Sequence, residues 1–232
     1  MRRLLGAGLC AAACLVLAAA SAAALDLRHG LALQGGLGHW NEPSDGASGR
    51  EYRWRPTLGA GWFVDLAASK SVRVGASLGW RRVGDEVRWS TNLGGTNYDS
   101  TIRLDVDQLA LPAHVEYALP FAPAFALEVG GQAEYALKVM EKADLAAFPA
   151  LRARRPYAAI FEDTSKPFEV TSYAQRLGGS ATAGASWRTR LFARDAALAV
   201  RYEHGLGELW KDADNGLERR ARRVSGELRV AW

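Results

Sequence analysis

Between Tyr52 and Leu66 the chain alternates cleanly. Even positions read Tyr, Trp, Pro, Leu, Ala, Trp, Val, Leu; odd positions read Arg, Arg, Thr, Gly, Gly, Phe, Asp. A helix, at 3.6 residues per turn, would mix these sets, whereas a strand keeps them on opposite faces. Seven further segments carry the same period of two: Leu25 to Trp40, Val72 to Trp89, Ile102 to Tyr117, Phe125 to Val139, Val170 to Trp187, Ala196 to Leu206 and Val224 to Trp232. In two of them the apolar phase slips by one residue. Val72, Val74, Ala76, Leu78 and Trp80 are even, but Val87 and Trp89 are odd; Ile102, Leu104 and Val106 are even, but Leu109, Leu111, Val115 and Tyr117 are odd. Such a slip predicts a β-bulge near Arg82 and another between Val106 and Leu109. Pro112 counts against its segment unless its nitrogen faces away from a ladder partner.

The connections alternate in length. Short ones, Ala67–Lys70, Pro120–Ala124 and Arg188–Asp195, follow the second, fourth and sixth strands. Long ones, Asn41–Glu51, about Gly84–Asn97, about Met140–Glu169 and Gly207–Arg220, follow the others. All long loops then lie at one end of an up-and-down sheet. That is the plan of a bacterial outer-membrane barrel.

Alternation does not say which face is inside, because a lipocalin-type barrel or a sandwich is apolar within and an outer-membrane barrel is apolar without. Aromatic residues favour the second. Trp62, Tyr117, Phe125, Trp187 and Trp232 fall near the short-turn end of the apolar face, and Trp54, Trp80, Tyr135 and Tyr173 near the long-loop end. Trp40 joins them if the first strand shifts phase at its end. Rings of this kind sit at the boundary between headgroups and hydrocarbon. Trp54 and Trp62 are eight residues apart, which at roughly 3.3 Å per residue and a tilt near 40° is about 20 Å of height, close to the apolar band of such barrels. The polar face is rich in Gly and Ser, as a narrow lumen requires. Arg28, Arg73, Arg81, Arg176, Arg201, Arg223 and Arg229 are expected to interleave there with Glu116, Glu128, Glu134, Glu203 and Glu227. Arginine's planar fork suits a carboxylate in a tight, partly dry space.

The first 24 residues differ in composition. Met1-Arg2-Arg3 precedes an apolar run to Leu17, small residues follow, and Ala22-Ala23-Ala24 offers an A-x-A site. This predicts a cleavable secretory signal at 1–24 and a barrel at 25–232; a membrane anchor is the alternative, for which the run is short and alanine-rich. Both cysteines, Cys10 and Cys14, lie in the signal, so the expected mature chain has none. Removing Arg2 and Arg3 takes Lys+Arg from 29 to 27 against 25 Asp+Glu, so net +4 becomes +2. The pI of about 9.2 therefore overstates its basic character, and no nucleic-acid partner is expected.

Leu109-Ala-Leu-Pro112 with Tyr117, followed by Phe125-Ala-Leu-Glu-Val-Gly-Gly131 and Tyr135, resembles the PorT-like outer-membrane β-barrel family. The resemblance implies an eight-stranded porin-like barrel. The secretion role of the family's named member is not carried over.

Candidate chemistry is sparse. His204 stands near the long-loop end, where lipid A deacylases place a histidine, but no Ser stands two residues on. His39 lies near Ser44 and Asp45, a set similar to that of outer-membrane palmitoyltransferases. A nucleophile needs its base within hydrogen-bond reach. His29 and His114 are expected to pack against lipid and lumen neighbours respectively. No metal-ligand spacing and no phosphate loop is present. Arg152, Arg154 and Arg155, beside Phe148 and Tyr157, would meet lipopolysaccharide phosphates if that loop is outside the cell.

The sequence thus reads as an all-β protein: an eight-stranded antiparallel up-and-down transmembrane β-barrel of the Gram-negative outer membrane, behind a cleavable signal peptide. It is expected to be a monomer and not an enzyme, with no cofactor, acting structurally or through its surface loops. A narrow porin-like channel is the alternative, and a lipid-modifying enzyme a more distant one. The expected partners are outer-membrane lipid, lipopolysaccharide and, during biogenesis, the barrel-assembly machinery. The terminal Val230 and Trp232 resemble the C-terminal signal that such machinery reads.

Overall fold

The computed structural model describes residues 26–41, 50–93, 96–144, 167–172, 174–206 and 220–232. The expected signal at 1–24, Tyr173 and Arg152, Arg154 and Arg155 lie outside the described residues. Ten strands follow in chain order: β1 Leu27–Asn41, β2 Arg50–Arg53, β3 Arg55–Ala67, β4 Val72–Leu93, β5 Thr96–Leu119, β6 Ala122–Asp144, β7 Phe168–Glu169, β8 Leu177–Leu191, β9 Arg194–Gly205 and β10 Arg220–Ala231. Every pairing is antiparallel, and the ladder runs β1–β3–β4–β5–β6–β8–β9–β10 before β10 returns to β1. The eight long staves therefore close into a barrel with no open edge between first and last. β2 and β3 form one stave. From Arg53↔Glu86 to Thr57↔Val83, four residues on that stave oppose three on β4, with the break at Trp54. β7 pairs only with β6, at Met140 and Glu141.

The two faces have the polarity of a membrane barrel. Leu58 is 61 % exposed and Val129 59 %, whereas Arg81 and Arg229 are 2 % and 1 % exposed. Leucines and valines point outward along β1, β3, β6, β8 and β9, and the ionic side chains point inward. Inward glycines let the lumen close around them. A Cβ on Gly75 would stand 2.2 Å from Asp65 Oδ1 and 2.5 Å from the His114 ring.

Towards the long-loop end this polarity inverts, which corrects the expectation of bulges in the third and fourth strands. The β4–β5 ladder runs from Gly79↔Ala110 to Leu93↔Thr96 without a register shift. β4 and β5 keep their phase; the apolar residues change sides. Val83, Val87, Ile102, Leu104 and Val106 are buried inside, joined by Ala136, Val139, Val170, Ala174 and Ala221. Outside, the same stretch carries Arg82, Arg88, Arg103 and Asp107. The buried carboxyls of Asp85 and Glu141 share that interior, but a mainly hydrocarbon inside with charge outside is the pattern of a barrel in water, so the inversion marks the rim of the membrane. The register shift in this region lies on β6: Asp107 opposes Lys138 and Gln108 opposes Ala136, leaving Leu137 as the extra residue.

The expected loop Gly84–Asn97 is therefore mostly strand, with β4 and β5 continuing as a paired hairpin beyond the rim. Pro112 also finds its reason. The β4–β5 ladder pairs Ala76 with Ala113 and Gly79 with Ala110 but skips Ser77 and Leu78, so no bond to β4 is asked of a residue without an N–H.

At the other end the turns are tight. Ser69 Oγ accepts from the backbone N–H of Val72 at 3.1 Å and of Ser71 at 3.3 Å. Phe192 and Ala193 join β8 to β9 with φ of 51° and 63°. The N–H of Trp232 donates to the carbonyl of His29 at 3.1 Å, tying the last residue to β1.

Candidate functional site

The lumen holds two tiers of charge. In the upper one, Arg81 from β4 and Arg223 from β10 face Glu134 from β6 and Glu203 from β9. Arg81 Nη1 donates to Glu203 at 2.8 and 3.0 Å, and its Nη2 to Glu134 at 3.0 Å. Arg223 grips Glu134 with both Nη atoms, at 2.7 and 2.9 Å, and reaches Glu203 at 3.0 Å. Two cations and two anions alternate, so each charge is answered twice. Gln34, Gln132 and the hydroxyls of Ser180 and Ser225 take up the remaining carboxylate sites. With its amide oxygen turned inward, Gln108 accepts from Arg81 at 2.9 and 3.1 Å.

The lower tier centres on Arg229. It binds Glu128, Glu116 at 2.6 Å, Asp65 at 3.3 Å and Glu227 at 3.3 Å. Arg201 joins Glu128 at 2.6 Å to Glu227 at 2.8 Å, and Arg188 reaches Glu116 at 2.9 Å. Asp65, His114 and Glu116 form a set with metal-ligand chemistry, their donor atoms within 4.8 Å of one another. The Arg229 guanidinium already stands among them, its Nη1 3.0 Å from His114 Nε2. The same Nε2 lies 3.5 Å from Glu116 and 3.7 Å from Asp65. A fixed guanidinium at the centre of the set opposes a second cation there. Among the described residues a cavity of about 30 Å³ is bordered by Gln34, Arg81, His114, Arg201 and Glu203. It has room for one or two water molecules.

The expected network is thus brought together at Arg81, Glu116, Glu128, Glu134, Arg201, Glu203, Arg223, Glu227 and Arg229. Three of the residues named with it stand apart. Arg28 and Arg73 lie at the short-turn mouth. Arg28 pairs with Asp195 at 3.1 Å, and Arg73 with Asp26 at 2.7 Å. Burial pushes the Asp26 carboxyl up, but the Arg73 hydrogen bond and the Arg28 charge outweigh it and hold it below the usual carboxylate range. Arg176 lies at the outer rim, donating to the Tyr135 hydroxyl at 3.3 Å. Asp65 and Arg188 were not foreseen. Asp65 sits on the polar parity of its strand, a signal the sequence did carry; Arg188 looked like part of a turn.

Outward-facing rings gather at both rims. At the short-turn end Trp62 meets Trp232 edge-on at 5.1 Å and His29 face-on at 5.6 Å, and Phe125 stacks on Trp187 at 6.3 Å. Tyr117, opposite Val72, is also outward there. At the other end stand Trp54, 4.3 Å from the His39 ring, Trp80 under Arg82, and Tyr135. The β1–β10 ladder runs through Trp40↔Ala221 with no phase shift; the Trp40 side chain, like Tyr173, lies outside the described residues. Ser44 and Asp45, the suggested companions of His39, do so too.

A closed eight-stave barrel, apolar outside between two aromatic rims and ionic within, is joined by a match to a family model: residues 10–205 fit the outer membrane protein beta-barrel domain. The chain belongs to that family. Its barrel resides in the cell outer membrane. The match is to the broad family and does not single out the PorT-like group. No curated protein matches the chain. Among solved structures it is similar to Ail, the attachment invasion locus protein of Yersinia pestis, at 10 % identity over 89 % of this chain and 99 % of that one, with a TM-score of 0.40. Neisserial surface protein A gives 9 %, 88 %, 97 % and 0.43, and OprG from Pseudomonas aeruginosa 10 %, 89 %, 92 % and 0.33. With TM-scores below 0.5, nothing about function passes from them to this barrel.

Proposed function

We propose that the protein is a closed, non-conducting outer-membrane barrel whose work is done at the cell surface, in a structural or binding role, and that it is neither a porin nor an enzyme. The observation that carries this is the filled interior. Two tiers of ion pairs cross the lumen, an apolar cap of Val83, Ile102, Leu104, Val106 and Val139 lies above them, and a cavity lined by residues of the tiers holds about 30 Å³. Eight strands leave an interior that side chains can fill. What stands free to meet a partner is the outer end, where β4, β5 and β6 rise beyond the rim. Against catalysis, His114 is buried among Arg229, Asp65 and Glu116, and His29 is stacked on Trp62 at the lipid face. The expected partners are outer-leaflet lipid and, during insertion, the barrel-assembly machinery; the barrel acts as a monomer. Reconstitution into planar bilayers tests the reading. The expected record is a flat baseline under applied voltage, and steady single-channel steps would overturn it in favour of a narrow channel.

A further inference from the structure

Where the outer face turns from apolar to charged, most cations are answered. Arg82 donates twice to Asp107, at 2.8 and 2.9 Å, and Arg88 and Arg103 share Glu86 at 2.7 and 2.9 Å. On β6 this stops. Lys138 and Lys142 are exposed, and among the described residues no carboxylate lies within 4.0 Å of either ammonium. Asp107, opposite Lys138, is held by Arg82, and Glu169, opposite Met140, accepts from the Thr171 hydroxyl at 2.7 Å.

Arg176 completes the group. Its carbonyl accepts from the Ala136 N–H at 2.7 Å, which sets it beside β6 at the level of the bulge, and among the described residues its guanidinium meets only the Tyr135 hydroxyl. The bulge then matters. The extra Leu137 turns outward and so does Lys138 after it, while Val139 returns to the interior. Tyr135 and Leu137 offer hydrocarbon contact at the membrane edge. Lys138 and Arg176 stand just above them, and Lys142 is about 13 Å further along the strand. At the short-turn end a lone outward cation, Arg194, lies over the Trp232 ring at 5.9 Å, but that end faces the inner leaflet, and no second unpaired cation stands beside it among the described residues.

We propose that this patch of Tyr135, Leu137, Lys138 and Arg176, with Lys142 above it, is a binding site for the phosphate of a multiply acylated outer-leaflet glycolipid of the lipid A class. The phosphate lies between the Arg176 fork and the Lys138 ammonium, and the acyl chains run down over Leu137 and the Tyr135 ring. Guanidinium and ammonium groups bind phosphate oxygens by charge-assisted hydrogen bonds. The site rests on the surface-facing half of the reading above and not on the closed lumen. A conducting barrel that still bound the lipid would refute the one and leave the other.

Native mass spectrometry of the folded protein in detergent, with defined diphosphoryl lipid A added, tests it. A one-to-one adduct is expected, weakened about thirtyfold in K138Q/R176Q, at about fivefold for each cation near a charged surface. K70Q/R190Q removes the same charge at the short-turn end and should bind as the parent does. The unsubstituted protein supplies an arm that needs no variant to fold: dephosphorylated lipid A should bind far more weakly. Equal retention of the dephosphorylated lipid, equal retention of phosphatidylglycerol, an unchanged affinity in K138Q/R176Q, or an equal loss in K70Q/R190Q would each overturn the site.

Discussion

Arg223 joins β10 to both β6 and β9 through Glu134 and Glu203. Replacing it with methionine keeps much of its length and leaves two buried glutamates sharing the single charge of Arg81. Breaking a buried ion pair from one side costs about 3–5 kcal/mol, so Arg223→Met should lower the urea midpoint of the folded barrel by a matching amount. A loss too small to measure would mean that water screens the tier. Glu86, above the rim, gives a different test. Burial pushes its carboxyl up, yet the hydrogen bonds from Arg103 and Arg88 outweigh that and hold it below the ordinary range. A group whose folded pKa is depressed lends stability above its unfolded pKa and loses it as pH falls through the folded value. The parent should therefore melt higher than Glu86→Gln at pH 7. The gap should close in acid below the usual carboxylate range; a gap that is the same in acid would detach Glu86 from its arginines. The residue types and parity of the network could be read in advance, since Arg and Glu alternate with Gly and Ser. The pairings could not, because Arg81 and Glu203 lie 122 positions apart and meet only once the sheet has closed.

Among the elements, the β8–β9 hairpin is the one built against local preference. A two-residue hairpin turn with positive φ at both positions favours Asn-Gly, but here it is Phe192-Ala193, at 51° and 63°. A residue with a Cβ pays about 1–2 kcal/mol for the left-handed region, and Ala193→Gly relieves it. The variant should raise the denaturation midpoint by about 1 kcal/mol of stability. No gain would mean that the turn lies elsewhere in solution. Alternation gave all eight staves and the order of short and long connections. It misread β4 and β5 for a physical reason. Period two reports which side of a strand is apolar, and at a membrane rim that side changes because the solvent outside changes. Val83 after Trp80, and Val106 before Leu109, are one ladder crossing from lipid into water. The phase jump looks the same in sequence as a bulge; the real bulge, at Leu137, left β6 looking regular as far as Val139.

For the molecule as a whole, closure is the property to test. β10 pairs with β1 through twelve residue pairs, from Gly30↔Ala231 to Asn41↔Arg220, and Trp232 packs against Trp62 beneath them. A sealed barrel should keep its shape in detergent until boiled. The unheated protein is expected to run fast on a gel and to slow after boiling. Identical mobility in both samples would argue against a closed sheet. The hairpin of β4 and β5 has a consequence of another kind. From Trp80 to Leu93 the strand continues for thirteen residues past the aromatic rim, which at the usual rise and tilt is about 30 Å of stiff, laddered backbone. A short epitope inserted between Leu93 and Thr96 would ride on a mast instead of a tether, and antibodies should find it on intact cells even through a coat of sugar.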